Sequence, residues 1–397
     1  MPIRNRLAEL HPEITAWRRD FHEHPELLFD VQRTAGLVAE RLRAFGADQV
    51  VTGIGRTGVV GVIHGRSTAS GKVIGFRADM DALPMAEATG ADYASKTPGK
   101  MHACGHDGHT SILLGAAKYL AETRNFDGTV VVIFQPAEEG GAGGKEMVDD
   151  GLMDRFGIQE VYGLHNSPGL PVGHFAIREG ALLASSDYFE LVIAGQGGHG
   201  GMPHLAVDPM LAACHVVVAL QSIVARNIDP LGSVVVSPTS FHTDSVSNLV
   251  IADEVRITGS VRSLDPGLRQ IAEDRFRSIV DQTARAHGCE ARLDYQRGYP
   301  VTMNHPEQTR FAADCAEEVA GPGRVRRDIA PIMPAEDFAF MLEARPGAYI
   351  FLGNGDSAAC HHPAYDFDDE AIPFGCSWFA TLAERGMPLH PVTPNKD

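Results

Sequence analysis

The sequence predicts an α/β fold, a largely parallel sheet flanked by helices, with a ferredoxin-like α+β module inserted into it. Three observations carry that prediction. The chain has 397 residues, too many for one simple core, so two domains are expected. In its first part, short near-continuous apolar runs alternate with helical periodicities, the pattern of strands buried on both faces of a parallel sheet. Its middle reads β-α-β-β-α-β, the order of a ferredoxin-like unit.

Taken in order, residues 4–23 set Leu7, Leu10, Ile14, Trp17 and Phe21 at three- and four-residue spacings, one face of a helix. Residues 32–45 form a second helix, stopped by Gly46. Strand-like runs follow at 59–63, 73–76, 130–134 and 161–164, with a helix over 108–122 between the second and third. The middle places a strand at 187–194, a long helix at 206–226, strands at 233–241 and 254–262, a helix at 266–287 and a strand at 289–296. Helices near 306–320 and 335–344, a strand at 348–352 and a helix near 370–385 complete the chain. The implied division is a first domain made of 1–182 and 298–397, with the module at 183–297 set into it. Internal repeats and low-complexity segments do not occur.

Composition narrows the class. Hydrophobic residues make 44% and charged residues 21%, the mix of a globular protein. A formal net charge of −17 argues against nucleic acid or an anionic membrane as partner. The six cysteines are widely scattered, which suggests no disulfide framework. Neither a secretory h-region at the N-terminus nor an apolar run of membrane length is apparent, so a cytoplasmic protein is expected.

Chemistry gathers in four short motifs: Met-His-Ala-Cys-Gly-His-Asp at 101–107, Gln-Pro-Ala-Glu-Glu-Gly at 135–140, Gly-Leu-His-Asn at 163–166 and Cys-His-His-Pro at 360–363. Cys104, His106, Glu139, His165 and one of His361 or His362 make a thiolate, imidazole and carboxylate set suited to zinc, manganese, cobalt or nickel. Glu138 is then the carboxylate beside a metal site that hydrolysis by metal-activated water requires. Adjacent residues of an extended chain point in different directions, so Glu138 and Glu139 can divide into base and ligand. Asp79 and Asp81 either cap the following loop or orient a histidine ligand. These residues follow predicted strands, where sites gather in open α/β sheets. In the inserted module, His199 and His204 lie in a glycine-rich loop, the composition of a mobile donor over a ligand. Arg262 is a natural partner for a carboxylate, and Asn248 lies in the same module.

Together and in this order, the motifs resemble the metallo-amidohydrolase family of hippurate hydrolase, the bacterial aminoacylases and the plant auxin-conjugate hydrolases. Carboxypeptidase G is more distantly similar. The resemblance runs from Arg77-Ala78-Asp79-Met80-Asp81 through the 101–109 block, Glu138-Glu139, Gly163-Leu164-His165 and the His199 loop to Ala335-Glu336-Asp337-Phe338 and His361-His362-Pro363. It implies a catalytic domain like that of the metal-dependent exopeptidases. It also implies two divalent metals on Cys104, His106, Glu139, His165 and His361, with the Cys104 thiolate bridging and His361 chosen over His362. Glu138 would be the general base. His199 would reach the substrate from a second subunit, making the inserted module a lid and dimerisation domain and the enzyme a homodimer or dimer-based tetramer. Asn248, Arg262 and His204 match positions near the substrate. The implied reaction cleaves small N-acyl amino acids to a carboxylic acid and an amino acid. A dipeptidase or aminopeptidase on the same scaffold, a hydrolase with Cys104 as nucleophile, and a non-catalytic binding protein are the alternatives.

Overall fold

In the computed structural model, which describes residues 4–389, the chain divides into two compact units. The larger comprises Met1–Gly180, Met303–Ala330 and Asp337–Asp397, and the smaller comprises Ala181–Thr302 and Pro331–Glu336. The sequence gives no sign that 331–336 leaves the first domain. Backbone bonds place it in the smaller unit: Ile332 N–H donates to Leu182 O at 3.0 Å and Ala184 N–H to Pro334 O at 3.0 Å.

The larger unit is built on an eight-stranded sheet. Its strands are β1 (Gln49–Ile54), β2 (Gly58–His64), β3 (Val73–Asp79), β4 (Thr129–Gln135), β5 (Glu160–Ser167), β6 (Phe175–Ala176), β7 (Val325–Arg326) and β8 (Gly347–Gly353). The spatial order is β1-β2-β4-β3-β5-β8-β6-β7. The central run β4-β3-β5-β8 is parallel throughout. β1 and β2 pair antiparallel, as do β2 with β4 and β6 with β8, so the sheet is mixed though mainly parallel. β2, β3, β4 and β8 are buried almost end to end, which is why they read as continuous apolar runs. The helix Asn5–Glu23 buries Leu7, Leu10, Ile14, Trp17 and Phe21, and the helix His106–Thr123 is buried nearly all round.

The smaller unit holds a four-stranded antiparallel sheet ordered Val234–Thr243, Glu254–Ser263, Ser185–Ala194, Glu290–Arg297. In chain order that is 2-3-1-4, the ferredoxin-like arrangement. Helices Pro209–Ser222 and Pro266–Ala286 cover it, packing Ala212, Val216, Leu220, Phe276 and Val280 into a core with Phe189, Leu191 and Ile257. Each helix starts at an aspartate followed by proline: Asp208 Oδ1 accepts from Met210 N–H at 2.9 Å, and Asp265 Oδ1 from Leu268 N–H at 2.8 Å. One expectation needs correcting. The segment Pro209–Asn227, helix plus a terminal π turn, is long and apolar enough to cross a membrane by length and composition. Only a third of it is buried, because one face meets the sheet while Met210, Leu211 and Val218 stay exposed.

Candidate metal centre

Parallel pairing puts the carboxyl ends of β3, β4, β5 and β8 on one edge of the sheet, and the reactive side chains lie there. β3 runs through Asp79 itself, three residues beyond the apolar run visible in the sequence. β4 ends at Gln135, and Glu138 and Glu139 follow in a turn opened by Ala137 at φ 56°. β5 carries His165 within the strand and continues to Ser167. His106 starts its helix just after Gly105, and His361 lies in the segment beyond β8.

These elements bring six predicted residues together. Potential ligand atoms of Cys104, His106 and His165 lie within 4.8 Å of one another, as do those of Cys104, Glu139 and His361, and those of His106, Glu138 and Glu139. Cys104 Sγ is 3.3 Å from His165 Nε2, and His361 Nε2 is 3.3 Å from Glu139 Oε1. Both imidazoles, His106 buried and His165 partly so, are set by their other nitrogen. His106 Nδ1–H donates to Asp81 O at 2.8 Å and His165 Nδ1–H to Asn166 O at 2.7 Å, so each presents the Nε2 lone pair inward. His362 is exposed and turned to its own loop, its Nδ1 accepting from Ala364 N–H at 3.0 Å.

The two aspartates do different work. Asp81 holds the glutamate turn: its Oδ1 accepts from Glu138 N–H at 2.9 Å and its Oδ2 from Glu139 N–H at 3.1 Å. Asp79 Oδ1 takes the Nδ1–H of His109 at 2.7 Å, while its Oδ2 binds buried Arg77 at 2.7 Å. Arg77 reaches on to Gln135 at 2.8 Å and Asp337 at 2.9 Å, joining β3, β4 and the segment before helix Phe338–Ala344. His109, readable in the sequence as a partner of a Cys104 nucleophile, frames the site together with Asn166, Arg77, Gln135 and Asp337, to which the sequence assigns no role. Their signal was adjacency, since each lies within or beside a motif.

The donor set fits a cation. His106 is 1% exposed, and its Nε2 makes no hydrogen bond; the nearest carboxylate oxygen, of Asp79, is 3.7 Å away. Burial alone would lower its pKa, but Asp79, Asp81 and Glu139 outweigh that and raise it well above the ordinary value. The carboxylates therefore favour positive charge at this point, and a metal ion can supply it in place of the proton. Glu139 is held below its usual range because His361 and His106 outweigh its burial. Cys104 is pushed upward by the neighbouring Cys360 thiol, by burial and by the two glutamates, whereas Cys360 is lowered by the same interaction.

The remaining predicted residues lie in the smaller unit. His199 is exposed on the short strand Gly198–His199, paired with Val250–Ile251. Its Nδ1 accepts from Gly201 N–H at 2.9 Å. His204 is exposed in the turn Pro203–Leu205. Asn248 is exposed just before the partner strand of His199, and half-buried Arg262 sits in Glu254–Ser263 opposite Ser186.

A partly buried cluster of thiol, imidazoles and carboxylates at the edge of a mainly parallel sheet is the donor set of a metal-assisted hydrolase. The chain belongs to the family described as peptidase family M20/M25/M40, whose sequence profile matches residues 75–385. It is accordingly a hydrolase acting on amide or peptide bonds. Hippurate hydrolase of Campylobacter jejuni subsp. jejuni serotype O:2 is 44% identical over 377 residues, 95% of this chain and 97% of that protein. Thermostable carboxypeptidase 1 of Saccharolobus solfataricus is 37% identical over 393 residues, 96% of this chain and 98% of that protein. Among solved structures, a Bacillus subtilis protein described as a dinuclear metal binding peptidase of the M20 family is 33% identical, with a TM-score of 0.83 over 96% of this chain and 99% of that one.

Proposed function

We propose that this chain hydrolyses the amide bond of N-acyl amino acids, of the hippurate or N-acetyl amino acid type, releasing a carboxylic acid and a free amino acid. The observation that carries the reading is Glu138. Glu138 is 7% exposed and its carboxylate lies within 4.8 Å of ligand atoms of His106 and Glu139, with Cys104, His165 and His361 completing a ligand set beside it. Cys104, His106, Glu139, His165 and His361 would hold two divalent ions, drawn from zinc, manganese, cobalt or nickel. Cys104 Sγ belongs both to the group with His106 and His165 and to the group with Glu139 and His361, which suits a shared ligand. When bound, the ions lower the pKa of water and polarise the substrate carbonyl. Glu138 takes the proton of the attacking water and passes it to the leaving nitrogen. Arg262 suits the carboxylate of the amino-acid half, with Asn248 and His204 as further polar contacts. The strong likeness to a hippurate hydrolase supports this substrate class.

Glu138→Gln keeps the shape and removes the base. It is expected to retain metal, measured by elemental analysis, while kcat on hippurate falls by about 10²- to 10⁴-fold. Near-normal turnover would overturn the assignment. The likeness to a carboxypeptidase favours a second reading, peptide hydrolysis on the same site. Comparing glycine release from hippurate with cleavage of dipeptides separates the two. A reading with Cys104 as the substrate's nucleophile is disfavoured, because its Sγ lies among the potential ligand atoms of His106, His165, Glu139 and His361.

The smaller unit supports assembly as a homodimer or dimer-based tetramer. The exposed apolar side of Pro209–Ser222, with Val218 71% exposed, is the surface a second copy would cover. His199 of that copy would then serve this active site. Because its Nδ1 accepts from Gly201, the neutral ring carries its proton on Nε2, where it can donate to a developing oxyanion.

A further inference from the structure

Cys360 has no part in the reaction assigned above, yet its segment runs beside that of Cys104. Backbone pairing puts it there: His361 N–H donates to Ala103 O at 2.8 Å, so the 103–104 and 360–361 segments run side by side. Asn166 clamps both. Its Nδ2 donates to Cys104 O at 2.6 Å, and its Oδ1 accepts from Tyr365 OH at 2.9 Å and from the Cys360 thiol at 3.9 Å. Asn166 and Tyr365 are buried, and the two thiols lie near enough to influence each other's charge. The other cysteines have different surroundings. Cys376 donates to Ile112 O in the core, Cys315 is buried there too, and Cys214 and Cys289 belong to the smaller unit.

We propose that Cys104 and Cys360 are a modification site: in the metal-free enzyme, peroxide joins them in a reversible disulfide that withdraws Cys104 from the metal. In the first step one thiolate attacks a peroxide oxygen. An S–O bond forms as the O–O bond breaks, leaving a sulfenic acid and one water after proton transfer. In the second step the other thiolate attacks the sulfenic sulfur; the S–S bond forms, the S–O bond breaks and a second water leaves. The two thiols lose two electrons and hydrogen peroxide is reduced to two waters. A small dithiol reverses the change by exchange. The consequence for metal uptake rests on reading Cys104 as a ligand, whereas formation of the disulfide does not.

The test treats metal-free protein with hydrogen peroxide, counts thiols after denaturation and maps cross-linked peptides under non-reducing conditions. The expected result is loss of two of the six thiols, a peptide joining Cys104 to Cys360, and zinc uptake lowered at least about tenfold. Dithiothreitol should restore all three, and zinc added before peroxide should protect the pair. Cys360→Ser should bind zinc before treatment and give no joined peptide after it. Thiol loss without the 104–360 link, or a link between other cysteines, would overturn the proposal. A 104–360 link with undiminished zinc uptake would leave the disulfide standing and remove Cys104 from the ligand set.

Discussion

His22 shows how far the charge of the site extends behind it. Asp107 follows the proposed ligand His106 in the chain, and its Oδ2 takes the Nδ1–H of His22 at 2.8 Å. Glu87 lies 3.2 Å from the other ring nitrogen, and the imidazole is fully buried. Burial disfavours its charged form, but Asp107 and Glu87 outweigh burial and bring its pKa to about 9. A folded-state pKa above the unfolded 6.5 stabilises the protein fully below pH 6.5 and progressively less as pH rises through 9. His22→Gln should therefore be less stable than the parent by about 3 kcal/mol near pH 6, and the gap should close above pH 9. Urea unfolding of both proteins across that range measures it, and a gap constant with pH would refute the charge assignment. Such residues divide by how local their cause is. Asp107 stands inside a readable motif, whereas His22 offers no sequence signal because its partner is 85 positions away. His109 was legible only as a histidine near a cysteine; its hydrogen bond to Asp79 depends on β3 meeting the following helix.

At the scale of elements, most of what positions the site was readable, because the central strands are buried on both faces and leave unbroken apolar runs. The limits of those runs misled in one direction. β3 extends through Asp79 and β5 through Ser167, since a polar residue at a strand end keeps its ladder pairing without adding hydrophobic signal. The edge strand β1 went unseen because its faces are half-exposed and it contains Gly53. The helix Gly143–Asp149 was hidden by the glycines that open it. Gly105 is where element and site meet. It starts the helix that carries His106, with φ at 84°. A β-carbon there would lie 2.3 Å from Tyr365 Oη and 2.4 Å from Asn166 Nδ2. Gly105→Ala combines left-handed backbone strain of about 1–2 kcal/mol with this clash against two buried side chains. Its unfolding free energy should fall by more than about 2 kcal/mol, with zinc uptake weakened in the protein that still folds. Unfolding curves and zinc titration check both, and an unchanged unfolding midpoint would show that the segment yields more easily than its contacts suggest.

For the molecule as a whole, the proposed metal ligands all belong to the larger unit and the proposed oxyanion donor to the smaller one. The sequence made the ferredoxin-like order of the smaller unit legible through the succession of strand-like and helix-like runs. Its apolar helix was harder to judge, because a run with one face on a sheet and one face open resembles a membrane segment in composition. Covering Met210, Leu211 and Val218 with a second copy removes apolar surface from water, which is the dominant favourable term in such association. If His199 acts across that contact, each active site is completed by the other chain. Mixing His199→Ala with Glu138→Ala then distinguishes the arrangements. Random reassortment makes half the dimers mixed, and a mixed dimer has one site with both an intact Glu138 and a partner's intact His199. Activity should recover to about a quarter of the parent level after subunit exchange, from parents each reduced at least about 10²-fold. A histidine serving its own chain gives no intact site in any mixed dimer and hence no recovery. Scoring exchange separately, by tagging one variant and isolating the mixed species, makes an absence of activity count against the proposal.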